Sequence, residues 1–98
     1  MSEKIDFTMS LCSSKASYSC KLHPSMLKHA KRKMLDLENI KQHCHVKSDA
    51  GIALVLFVEP FEIIVHGYGE LLFKTTDPGQ ISLIKKIADK IYKAGLDF

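Results

Sequence analysis

His43-Cys44-His45 places two imidazoles and a thiol within three residues, and Cys20-Lys21-Leu22-His23 adds a second cysteine–histidine pair. Together Cys20, His23, His43 and His45 have the donor types of a four-coordinate zinc site. The alternation of the chain argues against that use. In a strand over Asn39–Lys47, His43 and His45 share one face while Cys44 turns to the opposite, apolar face. The reading that follows is a solvated His/Lys face and a core cysteine, with no metal and no cofactor.

The other reactive residue types are equally dispersed. Cys12 and Cys20 fall in strand-like segments, with no helix N-terminus and no C-x-x-C partner to lower a thiol pKa, so they read as structural. Asp49, Glu59, Glu62 and Glu70 lie at turns or strand ends and show no pairing suited to general acid and base work. Gly67-Tyr68-Gly69 precedes a strand and lacks the G-K-[ST] or G-x-G-x-x-G pattern of a phosphate loop, so it reads as a hairpin turn, with Phe61, His66 and Tyr68 near any surface it borders. An enzyme is therefore not the favoured reading.

One charged stretch points to a partner. Lys28, Lys31, Arg32 and Lys33, extended by Lys41 and Lys47, form a basic region able to neutralise phosphates or meet an acidic protein. Between Lys21 and Lys47 there are seven basic residues against Asp36 and Glu38, while the rest of the chain is net acidic, so the overall charge of +3 hides a segregated distribution. The competing reading is a solvating lysine-rich face, and no aromatic ladder marks a platform for single-stranded nucleic acid.

The elements that position these residues follow from composition and period. Ninety-eight residues, 46% hydrophobic, make one domain over 1–98 with a modest core. Three cysteines without a C-x-x-C pair suit a reducing compartment, which makes a cytoplasmic location the expectation. There is no apolar leader and no run near the ~20 residues of a membrane span, so a soluble protein without membrane contact is expected.

Ile5–Leu11 and Ala16–Leu22 each alternate, with opposite parity on either side of Ser13-Ser14, which predicts a hairpin there in preference to one bulged strand. Pro24 opens a predicted helix to about Leu37 with the stripe Leu27, Ala30, Met34 and Leu37. A strand over Asn39–Lys47 is expected next. Gly51–Thr76 then reads as a three-stranded meander turning at Glu59-Pro60 and at Gly67-Tyr68-Gly69, and its first run, the all-apolar Ile52–Val58, is expected as a central strand of the sheet, not an edge. Asp77 or Thr76 caps a last helix whose stripe is Ile81, Ile84, Ile87, Ala88 and Ile91, and Gly95 ends it in a left-handed conformation.

Leu37-Glu-Asn39-Ile40, Gly69-Glu-Leu-Leu-Phe-Lys74 and the closing Lys85-Lys-Ile-Ala88-Asp-Lys-Ile91-Tyr-Lys-Ala-Gly95-Leu resemble one half-repeat of the TATA-box-binding protein family. The resemblance covers about three fifths of the chain. It implies a saddle whose exposed sheet face binds the DNA minor groove or another partner. The family has two half-repeats where this chain has one, and Lys41–Lys47 lacks its intercalating phenylalanine pattern. Leu72-Phe-Lys-Thr-Thr-Asp77 is similar to a segment of the small RNA-binding subunits of the signal recognition particle, which place helices on one face of an antiparallel sheet.

The expectation is an α+β fold of order β(β)αββββα, a mostly antiparallel sheet of five or six strands with two helices packed on one face. Its expected role is a non-catalytic binding module, with nucleic acid as one partner. The alternatives are a homo-oligomer or protein complex without nucleic acid, formed through the open sheet face or a strand edge because helices on one side leave apolar residues on the other, and, behind it, a small metal-binding protein or enzyme.

Overall fold

Strict alternation in the first part of the chain forms two paired strands. In the computed structural model, which describes residues 5–12, 14, 16–28 and 34–96, β1 (Phe7–Cys12) runs antiparallel to β2 (Ser17–Leu22). The register runs from Phe7↔Leu22 to Cys12↔Ser17, a hairpin and not one bulged strand. Four further strands follow: β3 (His45–Asp49), β4 (Ala53–Val58), β5 (Phe61–His66) and β6 (Glu70–Phe73). They complete a six-stranded sheet of order β1-β2-β6-β5-β4-β3 in which every pairing is antiparallel.

The turn chemistry fits these connections. Glu59–Pro60 is a cis peptide between β4 and β5, and Gly69 (φ 110°) supplies the backbone conformation that the β5–β6 turn needs. Between Val46 and Ser48 the β3–β4 register shifts, a bulge on an edge strand.

Register sorts the side chains into two faces. Leu11, Tyr18, Phe73, Ile63, Leu56 and Val46 lie in one cross-strand row, and Met9, Cys20, Leu71, Val65 and Leu54 in the next. Most of these join the buried core with residues of two helices, α1 (Leu37–His43) and α2 (Ile81–Gly95). Ile84, Ile87, Ala88, Ile91 and Tyr92 recur at spacings of three, four and one, so α2 presents one continuous apolar face to the sheet. Each fully buried isoleucine contributes about 1.5–3 kcal/mol by leaving water. Ile40 of α1 packs into the same cluster, which puts both helices on one sheet face.

Three expectations change. Pro24 opens only a short 3-10 turn, Pro24–Leu27, with His23 accepting from the Ser25 N–H, and Lys28 follows it. Residues 29–33 of the expected helix lie outside the described residues. At the other end, Leu37 starts a helix where the expectation had one stop: Asp36 takes the N-cap, its carboxylate accepting the Asn39 N–H at 3.1 Å. The strand expected over Asn39–Lys47 is therefore α1 as far as His43 and β3 only from His45. Leu37, Ile40 and Cys44 are spaced three and four apart, so these residues satisfy a helical period while Ile40, Cys44 and Val46 also satisfy alternation.

Gly95 ends α2, but not as a left-handed cap. Positive φ among the described glycines occurs at Gly51 and Gly69 alone. At Gly95 a Cβ would meet Ile40 Cδ1 and Leu35 Cδ2 at 3.0 Å each, so the glycine is where α1 and the segment before it press against α2. The Asp36 N–H donates to the Gly95 carbonyl at 2.7 Å, and Asn39 Nδ2 to Ala94 O at 2.7 Å, fixing that contact. No described helix is long and apolar enough to cross a membrane.

Candidate functional site

The sheet face turned away from the helices is the surface that the fold leaves to be explained. Its middle row crosses all six strands as Ser10, Ser19, Leu72, Ile64, Val55 and Ser48. In the neighbouring row Phe57 stands between His45 and Glu62, and on the far side Ala53 stands opposite His66. Val55, Ile64 and Phe57 thus form an apolar strip over β4 and β5, half-buried except for Phe57, which is 41% exposed. None of Val55, Phe57 and Ile64 belongs to the core that the helices cover, while Leu72, next in the row over β6, is itself buried at 4% exposure. Strand β4 is apolar throughout because one of its faces fills the core and the other fills this strip.

Beside the strip lies a polar network. Glu70 is only 8% exposed, and its carboxylate accepts the Ser19 hydroxyl at 2.9 Å and the Tyr68 hydroxyl at 2.8 Å. The bond to Glu70 raises the Tyr68 pKa, because the proton it donates stabilises the carboxylate. The His66 ring stacks on Tyr68 with centroids 5.2 Å apart. This arrangement holds a buried charge by satisfying it. It orients the Tyr68 and His66 rings at the margin of the apolar strip. The alternation of β2 and β6 places Ser19 and Glu70 on one face once the strands are paired, but the pairing of β2 with β6, fifty residues apart, is not visible in the sequence.

The residues singled out from the sequence are scattered. His43 closes α1, its Nδ1–H donating to Asn39 O at 2.8 Å, and His45 opens β3, so the two do not share a strand face. His23 caps the 3-10 turn and Cys20 is buried against the helices. Among the described residues, no three of His, Cys, Asp and Glu gather where they could hold a metal ion. Burial pushes the Cys20 thiol up to about 12 despite nearby Lys85, and raises Cys44 as well, so both stay protonated and poorly nucleophilic at neutral pH.

Two of the candidate phosphate-binding cations are already engaged by carboxylates. Lys41 bonds Asp49 at 2.7 Å and also Glu38, and these bonds, Asp49 first, push it up to about 12. Lys47 bonds Glu62 at 2.7 Å and holds that carboxyl below its usual value. Lys28 is exposed, and Lys31, Arg32 and Lys33 lie outside the described residues. A different cationic stripe is built by α2: Lys85, Lys86 and Lys90 are exposed on its outer face, and Lys93 pairs with Asp89 at 3.0 Å. The helical period of this stripe is legible in the sequence, but the denser run at Lys28–Lys33 draws attention first.

No protein-family model matches the chain, and neither a curated protein nor a solved structure matches it significantly.

Proposed function

We propose that this chain is a non-catalytic binding module whose recognition surface is the sheet face opposite the helices, and that it takes an apolar segment of a protein partner there. The observation that carries this reading is the strip of Val55, Ile64 and Phe57, solvent-facing, continuous across two strands and covered by no described helix. Contiguous apolar patches rimmed by polar groups mark interaction sites more often than isolated exposed side chains do. His45, His66, Tyr68 and the Lys47–Glu62 pair supply the rim. The half-saddle likeness points to the same face. Charged substitutions there, Val55→Asp and Ile64→Asp, should abolish partner capture while the fold persists, since both side chains face away from the core. Capture unchanged in both variants would overturn the reading.

Nucleic acid is the second reading, favoured by the lysines along α2 and by Lys28. It requires binding of labelled DNA or RNA that weakens steeply with salt and falls when Lys85, Lys86 and Lys90, or Lys31, Arg32 and Lys33, are neutralised. Retention of the open-face strip as the sensitive surface, with no salt-dependent nucleic-acid binding, decides for the protein partner.

A further inference from the structure

The two edges of the sheet are built differently. Edge strand β3 carries His45, Lys47 and Asp49 and is broken by the bulge between Val46 and Ser48, the devices that blunt an edge against pairing. Edge strand β1 has none of them. Its six residues, Phe-Thr-Met-Ser-Leu-Cys, carry no charge and no proline, and its register with β2 is unbroken. Among the described residues no strand pairs with its outer side.

The direction of its backbone groups follows from one bond. His23 N–H donates to Asp6 O at 2.8 Å, continuing the β1–β2 register by one residue, so Asp6 belongs to a hydrogen-bonded pair. In an antiparallel ladder these pairs alternate with pairs whose N–H and C=O point away. Thr8, Ser10 and Cys12 therefore bond to β2, while the N–H and C=O groups of Phe7, Met9 and Leu11 point out of the sheet. Leu22 N–H, which bonds Gly69 O across β2 and not its opposite residue Phe7, agrees with that phase.

We propose that β1 pairs with β1 of a second copy about a two-fold axis at Met9, joining two sheets into one of twelve strands. Three conditions select that register. Residues opposite one another must share a face, which requires the same parity. Outward-pointing groups must meet outward-pointing groups, which requires odd residues in the hydrogen-bonded pairs. The pairing must use the whole strand. Met9 opposite the second copy's Met9, with Phe7 opposite its Leu11, meets all three and forms six backbone hydrogen bonds. A register two residues along, Met9 opposite Leu11, keeps the parity but forms four within β1. The occupant is a second copy because the strand is complementary to itself: apolar Phe7, Met9 and Leu11 line one face, Thr8 and Ser10 the other, and no like charges meet at the axis. Leu11, 53% exposed in the single chain, is then covered by the second copy's Phe7. This inference stands apart from the open-face reading, since β1 is at the far edge of the sheet from β4 and β5 and its pairing leaves Val55, Phe57 and Ile64 untouched.

Light scattering on the full chain tests it, with the wild type expected at twice the chain mass. Met9→Pro removes the outward N–H at the axis but no bond to β2, and proline is tolerated on an edge in that phase, so a folded monomer is expected. Leu11→Lys should give the same result through the charge. In a Cys12→Ser, Cys44→Ser background, Thr8→Cys with Ser10→Cys should form cross-linked dimers on mild oxidation, because residues 8 and 10 face each other across the axis; this decides the matter should Met9→Pro not fold. A wild-type monomer at every concentration overturns the proposal, as does a dimer that survives both Met9→Pro and Leu11→Lys. A monomer that still captures a partner through Val55 and Ile64 would leave the open-face reading standing alone.

Discussion

Gly95→Ala tests how the helical layer is assembled. The added methyl would stand 3.0 Å from Ile40 Cδ1, 3.0 Å from Leu35 Cδ2 and 3.2 Å from Leu35 Cβ. Carbon atoms prefer ~3.5–4.0 Å, so all three contacts must open by roughly half an ångström. Sliding α1 away is opposed by the 2.7 Å bonds from Asp36 N to Gly95 O and from Asn39 Nδ2 to Ala94 O. Replacing a helical glycine by alanine gains at most ~1 kcal/mol, and less in a last turn, whereas overpacking a filled core costs about 1–3 kcal/mol. The net expectation is a loss of about 1–2 kcal/mol, read as a lower urea midpoint at unchanged m-value, or a fall in Tm of roughly 4–15 °C. In an Ile40→Val background, which lacks Cδ1, the added cost of Gly95→Ala should shrink, giving a measurable coupling. Equal or greater stability of Gly95→Ala would refute the close-packing argument and restore a purely conformational role for the glycine.

Tyr92→Phe removes the buried 2.7 Å bond to Gly69 O, but that carbonyl still accepts the Leu22 N–H at 3.0 Å, so the loss should be held to about 1 kcal/mol in urea unfolding. Cys20 has its folded pKa raised above the unfolded value, so the unfolded chain sheds its proton first above pH 9; stability should fall by up to about 1.4 kcal/mol per pH unit as pH rises from 9 towards 12, and Cys20→Ala should flatten that slope in denaturation series at pH 8 and 10.5. Buried Tyr92, raised for the same reason, adds to the alkaline slope that remains in the Cys20→Ala variant. Glu70→Gln should lower the pKa of Tyr68 in a phenolate absorbance titration, because the carboxylate that raises it is gone; an unchanged titration would contradict the Tyr68–Glu70 bond.

The parts of the fold that the sequence reveals are those where one period has no rival. Ile5–Leu11 and Ala16–Leu22 alternate with nothing at helical spacing to compete, and the Ile81–Ile91 stripe has no alternation. Leu37–Val46 satisfies both periods, so Asp36 as a cap had to decide, and a lone aspartate before a short helix is a slight signal beside a proline at residue 24. The open face is harder to read because it depends on pairing. Val55, Phe57 and Ile64 are visibly apolar in sequence, but only the positions of α1 and α2 determine which half of each strand is left outside. The Ser19–Glu70–Tyr68 network needs the β2–β6 contact, and the outward phase of Phe7, Met9 and Leu11 needs the single bond from His23 to Asp6. In the basic region, the charges are plain but their neutralisation is not: Glu38 and Asp49 reach Lys41 across a helix and a strand, and Glu62 reaches Lys47 from β5.

Side-by-side affinity capture tests the central claim most directly, using wild type, Val55→Asp, Ile64→Asp and a Lys85→Gln/Lys86→Gln/Lys90→Gln variant, each checked for fold by circular dichroism and each also titrated with labelled DNA and RNA at low salt. The account predicts a protein partner held by the wild type and the lysine variant and lost from both open-face variants, with no nucleic-acid affinity that depends on the α2 lysines. Capture that survives both aspartate substitutions, or nucleic-acid binding abolished by the lysine variant and untouched at Val55 and Ile64, would contradict it.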